Sequence, residues 1–378
     1  YWIMSTIIRT RSPYFIRTTA PSPTTDLNYY QLAITVYSGV TGELPTCGGV
    51  FGTITLQKKI LPNETTVTFE LSEVVNDFIQ QRFTGTYSFS ANVQSVWVST
   101  AISARKADGT QMGSLATAYY LAQEGYNTFK EGVNYVTEPE AMITANYVQK
   151  KSNTALYIPV NRERVNSVQY KNGSSVVSTV NVTDSGDSDQ KILYTSSSDT
   201  TIDNAVITYD TSQTRTITIE QVDECKFLPF KCTFLNRWGA LQDIFFFKKS
   251  TETLDSRNES FNKSIFAART ATQTLRDGEC ETDVTFNSYS TTDHPTKVFN
   301  ANGRESLTLN TGFLNEAMNE SFKELMVSEH IWLTNNAGTI FPATLKDSSF
   351  TTKTSRNDRM INYTMNFEMA FDLVNNIR

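Results

Sequence analysis

Six apolar side chains stand at every second position from Ile361 to Phe371: Ile361, Tyr363, Met365, Phe367, Met369 and Phe371. The positions between them hold Asn362, Thr364, Asn366, Glu368, Ala370 and Asp372. A period of two sorts alternate residues onto opposite faces of an extended strand, whereas a helix would scatter them around its circumference. The pattern predicts a long C-terminal strand with one apolar face, lying on a sandwich core or joining a sheet across subunits. The same alternation recurs at Leu32, Ile34 and Val36, and again at Val67, Phe69 and Leu71. A strand through Thr53 to Lys59 is expected between the turn signals Gly48-Gly49 and Pro62-Asn63. Strand character returns at Val96-Trp97-Val98.

The period changes at Val74, Val75, Phe78 and Ile79, which share one face of a helix. About three turns are expected there, with Ser72 as N-cap. A polar, Gly-marked stretch follows, and Glu138-Pro139 reads as a hinge. From about Asn153 to Glu224 the signals are all β. Asn172-Gly173 is a hairpin turn between strand-forming residues, and Ala205–Tyr209 and Arg215–Val222 are strands joined around Asp210-Thr211-Ser212. Such close spacing predicts a small immunoglobulin-like sandwich. Further on, Phe234 leads through Trp238-Gly239 into Ile244-Phe245-Phe246-Phe247, a hairpin with one very apolar arm. A helix over Asn315–Met326 presents Leu314, Met318, Phe322, Leu325 and Met326 near one face, and Ile331-Trp332-Leu333 is a strand after it.

A chain of 378 residues exceeds one comfortable core, so two or three domains are expected. The predicted class is mainly β: multidomain, with β-sandwich-like domains and a few short helices. The segments are 1–136, a β-sandwich-like domain with one helix; 137–224, a small immunoglobulin-like sandwich; and 225–378, a β domain with one helix. Met4-Ser5-Thr6 reads as the natural start.

Charge and motif content narrow the function. Asp and Glu number 39 against 33 Lys and Arg, for a net charge of −6, and the longest basic cluster is Lys248-Lys249. Nucleic acid is therefore not an expected partner, because phosphate binding needs clustered cations. No apolar run reaches the 18 or so residues of a membrane helix, and no membrane is expected. Cys47, Cys225, Cys232 and Cys280 form no CxxC pair. Buried free thiols are expected, with a Cys225–Cys232 disulfide as the lesser alternative. His294 and His330 stand far apart and are a poor supply of metal ligands or bases. Asp184, Asp187 and Asp189 cluster in a Ser/Gly turn, a solvated loop with weak calcium binding as its alternative. No nucleophile elbow or phosphate-binding loop is present, and Cys47 before Gly48-Gly49 lacks a basic neighbour to activate it. The expectation is a non-enzyme with no catalytic residue, no cofactor and no metal. Trp97, Trp238 and Trp332 could stack on sugar rings, although core packing is the default for aromatics in strand patterns.

Several stretches are similar to a family of virion proteins of tailed phages, especially marine phages with contractile tails. They are Ile8-Arg9-Thr10-Arg11-Ser12-Pro13-Tyr14-Phe15; Glu124-Gly125-Tyr126-Asn127-Thr128-Phe129-Lys130-Glu131-Gly132-Val133-Asn134; and the hairpin from Cys225 to Lys249, with Cys225-Lys226-Phe227-Leu228-Pro229-Phe230, Phe234-Leu235-Asn236-Arg237-Trp238-Gly239-Ala240-Leu241-Gln242-Asp243 and Phe246-Phe247-Lys248-Lys249. Asn310-Thr311-Gly312-Phe313, Ser328-Glu329-His330 and Asn357-Asp358-Arg359-Met360-Ile361-Asn362-Tyr363-Thr364 complete the set. The resemblance implies a structural tail, baseplate or head–tail junction protein, made in the host cytoplasm and located in the virion. It brings no catalytic residues. The implied partners are other tail proteins and copies of the chain itself. A receptor- or carbohydrate-binding tail protein is the alternative, with a host glycan as partner. Ile244, Phe245, Phe246, Phe247, Tyr363, Phe367 and Phe371 are the candidate assembly surface, the C-terminal strand by adding to a neighbour's sheet. Arg9, Arg11 and Arg17 could pair with acidic partners, although a solvated strand face is the simpler expectation.

Overall fold

The computed structural model describes residues 6–19, 26–38, 49–60, 66–87, 94–134, 139–182, 192–223, 226–274, 281–353 and 361–374. Among the described residues strand takes 55% and helix 6%, which places the protein in the mainly β class, with several sheets and two short α-helices. The chain folds as two compact units: Tyr1–Ser250 with Thr308–Phe367, and Thr251–Leu307 with Glu368–Arg378.

Within the first unit, the N-terminal segment forms a five-stranded sheet. Its spatial order is Thr6–Arg9, Gln111–Gln123, Ser95–Arg105, Tyr29–Ser38 and Val50–Lys59. The alternation read at Leu32, Ile34 and Val36 is real: all three are fully buried. They pack with Ile8, Val96, Val98 and Ala122, with Val67 and Phe69 from a second, two-stranded sheet of Phe15–Thr19 and Thr66–Glu70, and with Leu71 just after it. Two sheets over one core make this a sandwich-like layer. The helix spans only Ser72–Asn76, not the three turns that Val74 to Ile79 suggest. Phe78 N–H donates to Val75 and Ile79 N–H to Asn76, so the chain tightens into a turn. Ser72 is the first helical residue and not the cap. The Glu70 carboxylate accepts from the Ser72 N–H at 2.8 Å and the Tyr14 N–H at 3.2 Å, taking the role of the capping side chain.

The middle segment repeats the plan. Ser175–Asn181, Val165–Asn172, Asn204–Tyr209, Gln213–Val222 and Tyr147–Lys151 make a five-stranded sheet in that order. A two-stranded sheet of Ile192–Ser197 and Leu156–Asn161 faces it. Ile158, Val160, Val168, Tyr170, Ala205, Ile207 and Ile217 are buried between them. The hairpin signalled by Asn172-Gly173 is present, one residue further on: Asn172 ends the strand opposite Ser175, and Gly173, at φ +57°, and Ser174 make the turn. Asp210 turns the next hairpin at φ +49°.

The third sheet contains, in order, Leu241–Phe246, Phe230–Leu235, Ile331–Thr334, Ile340–Leu345, Thr364–Met369 and the 308–310 end of Thr296–Asn310. The C-terminal strand is therefore six residues long, shorter than its alternation predicts. Ile361 makes only an isolated bridge to Leu314, and the chain bends at Ala370 and Phe371. Neighbouring strands occupy both of its hydrogen-bonding edges, so it cannot add to the sheet of another chain. The helix expected over Asn315–Met326 is a 3₁₀ turn, Glu316–Met318, running into an α-helix, Asn319–Met326. Asn315 caps it by accepting from the Ala317 N–H. The cuts expected at 136/137 and 224/225 fall inside the first unit, while 225–378 is shared between the two. Glu138, of the expected hinge, lies outside the described residues, as do Met4 and Ser5.

The second unit holds Thr251–Asn262 beside the first part of Thr296–Asn310, and a hairpin of Ala267–Thr274 with Glu281–Ser288. Arg304 ties its two chain segments together through Asp372, 2.8 Å away, and Glu368.

Candidate functional site at the Asn236–Ala240 turn

Strands Phe230–Leu235 and Leu241–Phe246 are joined by Asn236-Arg237-Trp238-Gly239-Ala240. Asn236 organises the turn. Its side-chain oxygen accepts from the N–H groups of Trp238 at 3.0 Å and Ala240 at 3.1 Å, and its amide donates to the Met142 carbonyl at 2.7 Å. Gly239 sits at φ +77°, and a Cβ there would lie 2.3 Å from the Glu124 carbonyl oxygen. A Cβ on Gly125 would lie 2.7 Å from the Arg237 carbonyl. Two glycines thus let two backbones approach more closely than any side chain permits. The Gln123 amide donates to the Trp238 carbonyl at 3.0 Å, and Tyr126 N–H to the Arg237 carbonyl at 2.9 Å. Leu241 N–H donates to the Tyr194 hydroxyl at 2.8 Å, and the Gln242 amide to the Ser321 hydroxyl at 2.9 Å. The turn and the strand that leaves it therefore bond to the N-terminal segment, the middle sandwich and the helix Asn319–Met326, which is why the first unit is not cut at 136 or 224.

Charged groups concentrate around this contact. Arg237 grips both Glu131 carboxylate oxygens at 2.8 Å. Burial works against the Glu131 charge, but the bonds from Arg237 and Thr128 prevail and hold its carboxyl below the usual range. The Trp238 ring has the Arg9 guanidinium 4.4 Å and the Arg237 guanidinium 4.5 Å from its centre. Glu324 comes in from the helix and is buried. Burial pushes its carboxyl up to about 7, against the opposing effects of the Thr144 hydroxyl, the Arg237 N–H and the Arg237 charge. The Trp238 indole N–H donates to the same Thr144 hydroxyl at 3.2 Å.

Glu124, whose carbonyl meets Gly239, sends its side chain toward His330. One carboxylate oxygen lies 3.2 Å from His330 Nε2, while the other, Oε1, is buried with no hydrogen-bond partner. Glu329 completes the group. Its ligand atom and those of Glu124 and His330 all lie within 4.8 Å of one another. Arg11 holds Glu329 at 2.9 Å and donates to the Val327 carbonyl. The His330 ring stacks on Trp332, with centroids 6.0 Å apart and planes 16° apart.

The residues singled out from sequence fall elsewhere. Ile244, Phe245, Phe246, Phe247, Tyr363 and Phe367 are buried within the chain and make contacts inside the third sheet's layer, such as the edge-on pair of Phe246 and Phe367. They are core, not an assembly surface; among the seven only Phe371 is exposed. Trp97 and Trp332 are buried and Trp238 lies between two guanidiniums, so none of the three is an open sugar platform. Arg9 is buried and Arg11 is engaged with Glu329, whereas Arg17 is exposed. Cys232 is a buried free thiol, raised in pKa by burial, while Cys47, Cys225, Cys280 and the Asp184, Asp187 and Asp189 cluster lie outside the described residues. His294 is exposed beside Asp293. Glu324 and Glu124 give no signal in the sequence, because their partners are remote along the chain; Glu131 carries a local one, the Thr128-to-Glu131 capping box, but its Arg237 partner is remote. The exposed apolar residues of the second unit give none either. Compared with known proteins, the chain matches no family model and no curated sequence.

Proposed function

We propose that this chain is a structural component of a tailed-phage virion, in the tail, baseplate or head–tail junction, assembling with copies of itself and with other tail proteins. The observation that carries the reading is the apolar surface of the second unit. The strand Thr251–Asn262 is exposed at all 12 positions. Leu254, Phe261, Val298 and Phe299 along this ribbon, with Phe266, Phe286 and Tyr289 on the hairpin segment, are between 48% and 64% exposed. Phe261 and Phe299 stand 6.2 Å apart, and Phe266 and Tyr289 meet edge to face at 5.8 Å, so the aromatics are grouped and not scattered. Water-exposed apolar groups of this kind mark surfaces that another protein covers. The interlock of Glu124–Gly125 with Arg237–Gly239 also supports the reading, since it joins two of the segments that resemble phage virion proteins.

Mass spectrometry of purified particles tests the role directly: the chain is expected in them, and particles without it would exclude it. A paired substitution, Phe261→Ser with Phe299→Ser, tests the surface. The expected result is a folded chain that no longer enters particles or higher oligomers. Unchanged incorporation would remove the ribbon from the assembly.

A further inference from the structure

We infer that Glu124, Glu329 and His330 form a binding site for a divalent transition metal of the zinc class, joining the end of the strand Gln111–Gln123 to the turn before Ile331–Thr334. The inference goes beyond the assembly role and does not depend on it. An imidazole nitrogen with two carboxylates is a donor set that zinc accepts. Their ligand atoms lie within 4.8 Å of one another, and metal–ligand bonds of roughly 2.0–2.2 Å would draw them together by a small inward adjustment.

The second observation is independent of that spacing. The Glu124 side chain is 5% exposed and its Oε1 has no hydrogen-bond partner. The contact with His330 uses only Oε2, leaving Oε1 buried without a hydrogen-bond partner, which is costly. A cation held by Glu124, Glu329 and His330 would place a positive charge beside this buried carboxylate. The surroundings hold the donors in place. Glu124 is fixed through its backbone by the close approach of Gly239, and the His330 ring is stacked on Trp332. Arg11 Nε lies 2.9 Å from one Glu329 oxygen, which orients that carboxylate and leaves its other oxygen for the metal. The Arg11 charge weakens the site without closing it.

Isothermal titration of the full chain with Zn²⁺ near neutral pH tests the site. One equivalent is expected to bind saturably, and to weaken on acidification because protons compete for the imidazole and the carboxylates. Glu329→Gln is an exposed change and His330→Asn a half-buried one; circular dichroism checks that each variant keeps the native fold, and each is expected to weaken binding at least about tenfold. His294→Asn is expected to change nothing. Absence of saturable uptake, or uptake that His330→Asn and Glu329→Gln both leave intact, would overturn the site. Glu124→Gln adds the buried ligand: a folded variant that still binds Zn²⁺ at full strength would equally refute it.

Discussion

Glu324 is a buried acid whose carboxyl is held at about 7 by its surroundings, against an ordinary value of 4.5. Its folded-state pKa lies above the unfolded one, so the folded protein binds the extra proton between these two values. The contribution of this group to stability is therefore full below about 4.5, falls as pH rises toward 7, and is gone beyond. The whole effect is on the order of 3 kcal/mol, at about 1.4 kcal/mol per pKa unit. Replacing Glu324 by Gln removes the titration, and urea unfolding midpoints of the variant should stay level across the window in which those of the native chain decline. Identical pH slopes for the two proteins would show that this carboxyl is not titrating in the fold. Gly239 offers a second test. Gly132 has φ +68° and open space around it, so Gly132→Ala meets only the left-handed backbone cost of roughly 1–2 kcal/mol. Gly239→Ala meets that cost plus a collision with the Glu124 carbonyl, and should be clearly the more destabilising in the same unfolding assay. Neither feature was legible in the sequence. Glu324 and Thr144 are 180 positions apart, and what makes them special is the solvent they lose together.

At the scale of elements, the sequence was most informative where one face of a strand alone decides burial. Leu32, Ile34 and Val36 alternate because one side of Tyr29–Ser38 faces the core, and the period survives in the fold. Asn172-Gly173 was equally legible, since a two-residue turn needs a residue at ease with positive φ. The C-terminal strand shows the limit. Its apolar period runs from Ile361 to Phe371, but pairing covers only Thr364–Met369, because alternation records which face is buried and not which backbone groups find partners. The same limit turned Phe367 into a surface candidate. It is core, packed edge-on against Phe246, and Phe367→Ala should cost about 3–5 kcal/mol by chemical denaturation. Phe299→Ala, on an exposed ring, should stay within about 0.5 kcal/mol of the native chain. The two substitutions remove the same atoms, so the difference measures burial alone.

For the whole molecule, stability should be distributed unevenly between the two units. The first has two sandwich cores and a third sheet layer, with completely buried residues in each. The second exposes every residue of Thr251–Asn262, and the strand Thr296–Asn310 stays exposed over its first six residues. Thr251–Asn262 gave no strand signal in sequence because no face of it is buried: Thr, Glu, Ser and Asn fill most of it, and a strand covered on neither side carries no period. Amide exchange depends on the free energy of local opening, which falls where few apolar contacts must be broken. In the isolated chain, amides of Thr251–Asn262 should exchange far faster than those of Tyr29–Ser38 or Val165–Asn172. Assembly changes the expectation in a way that tests the proposed role. If Phe261, Val298 and Phe299 are covered by a neighbouring protein, protection should rise at those positions in the particle and stay unchanged in the sandwich cores, which are already at the global limit. Equal protection of the ribbon in free chain and particle would mean that these aromatics face water in both, and the assembly surface would have to be sought on another part of the chain.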